Sequence, residues 1–416
     1  MKGFLQLALA ATAVIGTVAA TQNTCDYRKG LKCPAGLNPC CGQFDVCGAG
    51  PYCLGGCNPR GSASPDDCAP APSVVPATTN STHPLACGDF AVENDVGVLK
   101  MGPTKARTGT VISSTSYVWY GNIKANIKTS RGAGVVTAFI LYGNMKDEID
   151  FEWVGAKLEN TETNYYWSGV LNYENKIDFS GFQEGYNTYE KFHTYEVDWT
   201  EDRLNWLVDG KVVRTLNKKD TLNTTTGYYH YPQTPSRVQI SIWPAGVEGG
   251  SKWTNEWAGG IVDWKNHPDI KKDGYYSALV KDVNIQCYDT PKNANITGSV
   301  KKSYMYSSME GRAEDVVIGD WNTTLASSIA TGREPEKGKK DLSKEELEKV
   351  ETVPEVKPGT GGQGTGTGDS APAPGATGGA NSDFSQGAPA TATGGAQKLA
   401  LSGVAVVAAA VVAAFV

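Results

Sequence analysis

The segment Asp147-Glu148-Ile149-Asp150-Phe151-Glu152-Trp153 crowds acids onto a short stretch of apolar and aromatic residues. In an extended strand, side chains two positions apart share a face. Glu148, Asp150 and Glu152 therefore point one way, and Ile149, Phe151 and Trp153 point the other. Folding does not favour such a row, because neighbouring like charges raise one another's pKa. Cleavage of a glycosidic bond does use it. A retaining mechanism needs one carboxylate to attack and one protonated carboxyl to donate, about 5–5.5 Å apart. Four strand residues separate the Cα atoms of Glu148 and Glu152 by about 13 Å, and two long side chains leaning inward close most of that gap. Asp150, between them, is placed to hydrogen-bond the nucleophile and to keep the two pKa values apart. The competing use of clustered carboxylates is calcium ligation. No EF-hand spacing and no histidine partner accompanies this strand, so neither a metal nor a cofactor is expected.

The elements that must position these acids are short. Between Cys87 and Cys287, segments of alternating apolar and polar residues are separated by Gly, Asn and Asp. They include Gly109 to Ile112, Val135 to Tyr142, Thr194 to Trp199, Leu204 to Val208 and Val238 to Trp243. Period two without long amphipathic helices predicts an all-β fold, a β-sandwich. Arg237, Gln239, Ser241 and Trp243 share one face of their strand, and the aliphatics between them take the other. Cys87 and Cys287 bracket the domain, and a bridge between them would tie its ends. Ten Trp and nineteen Tyr suit a carbohydrate binder. A net charge of −6 with no basic face argues against nucleic acid as a partner.

The remaining sequence is organised around this domain. Lys2, the apolar Phe4 to Ile15 and Val18-Ala19-Ala20 form a secretory signal over residues 1–20. Eight cysteines crowd between Cys25 and Cys68, a region too small to stand on an apolar core. Residues 69–82 form a linker rich in Pro and Thr. From residue 291 to 398 the pattern fades through a charged run (333–352) into Gly, Ala, Thr, Ser and Pro, a stalk that cannot bury enough surface to order itself. Residues 399–416 are apolar and uncharged. After a polar spacer, this is the layout of a glycosylphosphatidylinositol signal, with Asn381 or Gly387 as the attachment residue. A single transmembrane helix is the alternative, although the run is short and no Lys or Arg follows it. Asn80, Asn223, Asn295 and Asn322 head N-glycosylation motifs.

Glu148-Ile149-Asp150-Phe151-Glu152 resembles the catalytic signature of glycoside hydrolase family 16. Lys146 to Gly155, Phe192-His193-Thr194-Tyr195-Glu196-Val197-Asp198-Trp199-Thr200, Ser241 to Gly246 and Glu256-Trp257-Ala258-Gly259-Gly260 are similar to the fungal Crh branch of that family. The resemblance implies a β-jelly-roll with a concave groove over residues 83–290. It also implies a monomeric, extracellular enzyme of the cell wall that moves chitin chains onto β-glucan. By position, Glu148 is the nucleophile, Asp150 its auxiliary and Glu152 the general acid/base. Trp243 would stack on a sugar ring, Glu152, Gln239 and Thr254 would contact sugar groups, and Trp253 and Trp257 are weaker candidates. His193 is expected to hydrogen-bond rather than act as a base. Hydrolysis of chitin or β-glucan would use the same strand, with water as acceptor. A non-catalytic wall-binding protein is the alternative of another class.

Residues 21–68, with the adjacent pair Cys40-Cys41, resemble the hevein-type chitin-binding module, carbohydrate-binding module family 18. The resemblance implies the pairs Cys25–Cys41, Cys33–Cys47, Cys40–Cys53 and Cys57–Cys68, and sugar contacts from Phe44 and Tyr52. Val46 and Gly42 depart from the aromatic and the serine usual at their positions.

Overall fold

The computed structural model describes residues 24–73, 84–87, 89–104, 109–180 and 183–339. The signal segment, Asn80, Asn381, Gly387 and the apolar tail lie outside them.

Two seven-stranded, mostly antiparallel sheets stack face to face. The first runs, in spatial order, Ile177–Ser180, Asn160–Tyr166, Glu148–Val154, Val135–Gly143, Ser236–Pro244, Thr110–Ser114 and Pro84–Cys87. The second runs Lys211–Asn217, Arg203–Val208, His193–Trp199, Gly121–Lys128, Tyr276–Cys287, Val96–Met101 and Asp89–Glu93. Half of the twelve adjacent pairs in these sheets join strands that are not consecutive in the chain, the long connections expected of a jelly-roll.

Alternation explains the packing. Ile149, Phe151 and Trp153 of the acidic strand, with Val238, Ile240 and Ile242, face the second sheet and are all but fully buried. Tyr195, Val197, Trp199, Leu204 and Trp206 meet them from the other side. The Trp153 and Tyr195 rings lie 4.3 Å apart between the sheets. Burying an aromatic side chain of this size contributes roughly 1.5–3 kcal/mol, so this interior fixes the strand register.

The N-terminal module is held by disulfides Cys25–Cys41, Cys33–Cys47, Cys40–Cys53 and Cys57–Cys68. Cys287 forms no disulfide with a described residue, and the side chain of Cys87 lies outside those residues. A bridge between the two stays an expectation.

The chain after residue 290 departs from the expected stalk. Asn295–Ile296, Ser303–Tyr306 and Val316–Gly319 form a four-stranded sheet with Ala71–Pro72 of the expected linker. Tyr304, Val316 and Ile318 join the main core. Asp320 accepts bonds from the backbone N–H groups of Ser299, Val300 and Lys301. The physical reason is local: Tyr304, Val316, Val317 and Ile318 supply enough apolar area for the segment to order. Asn295 and Asn322 are exposed, whereas Asn223 is half-buried and accepts bonds from Thr225 and Thr226 N–H.

Candidate active site

Sheet register collects the expected site residues on the outer face of the first sheet. Glu148 lies across from Tyr142 on one side and Tyr166 on the other, and Arg237 continues that row. Asp150 lies between Ile140 and Asn164, with Gln239 beyond Ile140. Glu152 lies between Ala138 and Glu162, with Ser241 beyond Ala138. The three acids thus form one column and the polar face of Ser236–Pro244 a parallel column two strands away.

The face is not open to solvent. Glu148, Asp150 and Glu152 are 3%, 1% and 2% exposed. This burial sets their chemistry. Desolvation is the largest influence on each and pushes all three pKa values up. For Glu148 the charge of Glu152 adds to it, while a hydrogen bond with Asp150 and the nearby Lys146 ammonium pull it back, leaving it at about 8. The same hydrogen bond raises Asp150 further. Two carboxyls can share a hydrogen bond only if one carries the proton, and the opposite shifts favour the proton on Asp150. No N–H or O–H of another described residue donates to Oε1 of Glu148 or to either Asp150 oxygen. Glu152 is held well above its ordinary value by burial and then by the charges of Asp150 and Glu162. Burial thus favours the protonated form of all three acids, and the Asp150 hydrogen bond and Lys146 oppose this at Glu148.

Several residues that position the column carried no signal in the sequence. Trp206 of the second sheet donates from Nε1 to the Asp150 carbonyl at 3.0 Å, pinning the strand from behind. The Arg214 guanidinium stacks on that indole at 4.5 Å and opposes the rise of Asp150. Asp147 points away from the column. Its carboxylate accepts from Ser168 N–H at 2.8 Å, Gln233 N–H at 2.9 Å, Thr234 N–H at 2.9 Å and Thr234 Oγ1 at 2.7 Å. Burial nevertheless pushes it up to about 6. It ties the entry of the catalytic strand to the loop before Ser236. Glu162, beside Glu152, pairs with Lys176 at 3.0 Å and accepts from Trp257 Nε1 at 2.7 Å. Such partners are found from three-dimensional register, not from spacing.

The other expected contacts fall out differently. Trp243 is 1% exposed and packs with Val136, Val154 and Ala258, with Trp257 6.1 Å away, so its ring faces are largely spoken for. Thr254 sits half-buried on the short helix Lys252–Trp257, one turn before Trp257. Trp253 is about half exposed on the same helix. The Gln239 amide is already engaged by Gln43 of the N-terminal module. His193 pairs with Asp209 at 2.7 Å on the second sheet, away from the acids. Tyr52 packs against the module's cysteine cluster and its Gly42 and Gly48, while Phe44 is half-buried.

A column of carboxylates on the face of a jelly-roll fits one class of protein, the glycosidases. Residues 82–266 match the family model for glycosyl hydrolases family 16. Crh-like protein UTR2 of Candida albicans is 40% identical over 80% of this chain and 75% of its own length. Congo red hypersensitive protein 2 of Saccharomyces cerevisiae is 43% identical over 71% of this chain and 68% of its own. A Crh5 transglycosylase solved in complex with NAG superposes with a TM-score of 0.50 and 26% identity, covering 62% of this chain and 97% of that one. This chain belongs to the Crh-like branch of glycoside hydrolase family 16, and it is an enzyme of that family.

Proposed function

We propose that this protein is a transglycosylase of the fungal cell wall that transfers chitin chains onto β-glucan by double displacement. The observation that carries the reading is the column of three buried acids, Glu148, Asp150 and Glu152, on one face of the sheet. In the first step a Glu148 carboxylate oxygen bonds to the anomeric carbon of the donor while the glycosidic C–O bond breaks. The proton of Glu152 goes to the departing oxygen. The proton of Asp150, bonded to Glu148, steadies the nucleophile before attack. In the second step Glu152, now a carboxylate, takes the proton of an acceptor hydroxyl. That oxygen bonds to the anomeric carbon and releases Glu148. A glucan hydroxyl as acceptor gives transfer, and water gives hydrolysis. The crowded, water-poor face favours an acceptor that binds over bulk water.

The likeness to the solved Crh5 transglycosylase supports transfer over hydrolysis as the main outcome. Secretion, N-glycosylation at Asn223, Asn295 and Asn322 and a glycosylphosphatidylinositol anchor at Asn381 or Gly387 belong to the same reading. They would place a monomeric enzyme on the outer face of the membrane and in the wall.

Mass spectrometry of products from chitin oligomers mixed with labelled β-glucan acceptors tests it. Hybrid products that vanish in Glu148→Gln are expected. Free reducing ends without hybrids would make the protein a hydrolase. Unchanged behaviour of Glu148→Gln would make it a non-catalytic wall binder.

A further inference from the structure

The disulfide module does not stand apart from the catalytic domain. Tyr27 Oη donates to the Ser168 carbonyl, and Arg60 donates to Ser168 Oγ and to the Met145 carbonyl. Asp45 and Lys146 form a buried ion pair at 2.6 Å. Gly56 N–H donates to Tyr117 Oη at 2.6 Å. All of these contacts gather at the end of the sheet face where Glu148 begins the catalytic strand. Lys146 itself sits in the left-handed region at φ +62°, in the turn that enters this strand.

Two of the module's side chains reach the face itself. The amides of Gln43 and Gln239 oppose each other at 2.7 and 2.8 Å, and Arg237 donates to the Gln43 carbonyl oxygen. Arg28 donates to the Gly169 carbonyl at 3.2 Å and lines a small cavity with Tyr142, Tyr166 and Glu148. The fit is close. A Cβ on Gly55 would stand 2.6 Å from the Arg237 guanidinium, and one on Gly56, at φ +84°, 2.9 Å from it. The C-terminal segment meanwhile reaches the module beside Tyr52: Leu325 packs on the same cysteine cluster as Tyr52, and Gly50 N–H bonds the Ala330 carbonyl at 2.9 Å. A free binding appendage would show neither feature.

We propose that the module is the end wall of the catalytic groove, with Gln43 and Arg28 as specificity-determining residues that contact the sugar chain beside the nucleophile. The wall limits how far a chain extends past Glu148. The Gln43 amide, bonded to Gln239, and the Arg28 guanidinium, bonded to Asp26 and the Gly169 carbonyl, each carry further N–H groups of the kind that recognise sugar hydroxyl and acetamide oxygens. This rests on the transglycosylase reading of the same face.

The test uses the full secreted chain carrying Gln43→Ala or Arg28→Ala, substitutions that leave every disulfide in place. Far-ultraviolet circular dichroism and melting establish folding. With chitin oligomers of defined length as donors, each variant is expected to raise KM about fivefold or more for short donors, with kcat within about twofold. The distribution of transferred lengths should widen. Unchanged KM and unchanged product lengths in both variants would overturn the proposal. So would a rise in kcat at constant KM, which is the behaviour of a removed plug. An inactive wild type would instead strike at the transglycosylase reading, so the two failures are distinguishable.

Discussion

The burial of Glu148 comes at the expense of stability. Its folded pKa of about 8 lies above that of an unfolded glutamate, because burial and Glu152 disfavour its charge. For a raised carboxyl, the stabilising contribution is complete below the unfolded value, about 4.3, and is lost as pH rises through the folded one. Glutamine carries no charge to bury. Glu148→Gln should therefore melt no lower than wild type near pH 5 and progressively higher as pH approaches 8, while transfer falls at least about a thousandfold. Melting curves across that range, with product assays at each pH, check both halves. Asp150 acts through its neighbour. Removing its hydrogen bond in Asp150→Ala lets Glu148 rise, so the acid limb of the kcat/KM profile should move up by about one pH unit. An unmoved acid limb with reduced kcat would mean that Asp150 serves only to pack. At this scale the sequence was legible: period two alone placed Glu148, Asp150 and Glu152 on one face. It did not reveal which of them holds a proton, since that depends on burial and on Arg214, Lys146 and Glu162 arriving from elsewhere in the chain.

The acidic strand is held in place because other elements clamp it. Ile149, Phe151 and Trp153 hold it from the core, Trp206 bonds its backbone, and Asp147 anchors its start through four donors. Asp147→Ala would strand those donors in a buried site, costing about 3–5 kcal/mol. Denaturant titration should find that loss, and a change below about 1 kcal/mol would show that water replaces the carboxylate. The strands themselves were readable from alternation: Val135–Gly143, His193–Trp199, Arg203–Val208 and Ser236–Pro244 lie where the apolar pattern places them. The partners of Asp147 were not. Gln233 and Thr234 are more than eighty residues away and join it only through sheet order. Trp243 shows the same limit, because alternation put it on the correct face without telling that Trp257 would cover it.

At the scale of the molecule, the structure is one assembly of module, sandwich and C-terminal sheet. The segment Ser303–Tyr306 bridges the linker strand Ala71–Pro72 to Val316–Gly319, and Tyr304 and Ile318 reach the sandwich core. Ending the chain after residue 290 should therefore expose that core edge and lower the melting temperature by several degrees or more, since about 1 kcal/mol shifts a large domain by 2–4 °C. An equal melting temperature would mean that the C-terminal sheet is an ornament. Composition reads the Gly- and Thr-rich residues as unable to order, and those beyond residue 339 lie outside the described residues. The expected stalk began too early because Gly and Asp around Val316–Gly319 share its composition. Docking of the module was illegible for a different reason. The Gln43–Gln239 contact spans 196 positions and leaves no local trace in the sequence.

Everything in the mechanism passes through a covalent bond from Glu148 to a sugar. Rapid-quench mass spectrometry of peptides from the enzyme turning over chitin oligomers looks for that bond. The peptide containing Glu148 should gain the mass of a donor glycosyl group at Glu148, and the adduct should decay faster when β-glucan acceptor is added. A glycosyl group found on Glu152, or turnover with no adduct and inverted anomeric configuration in the product, would contradict it.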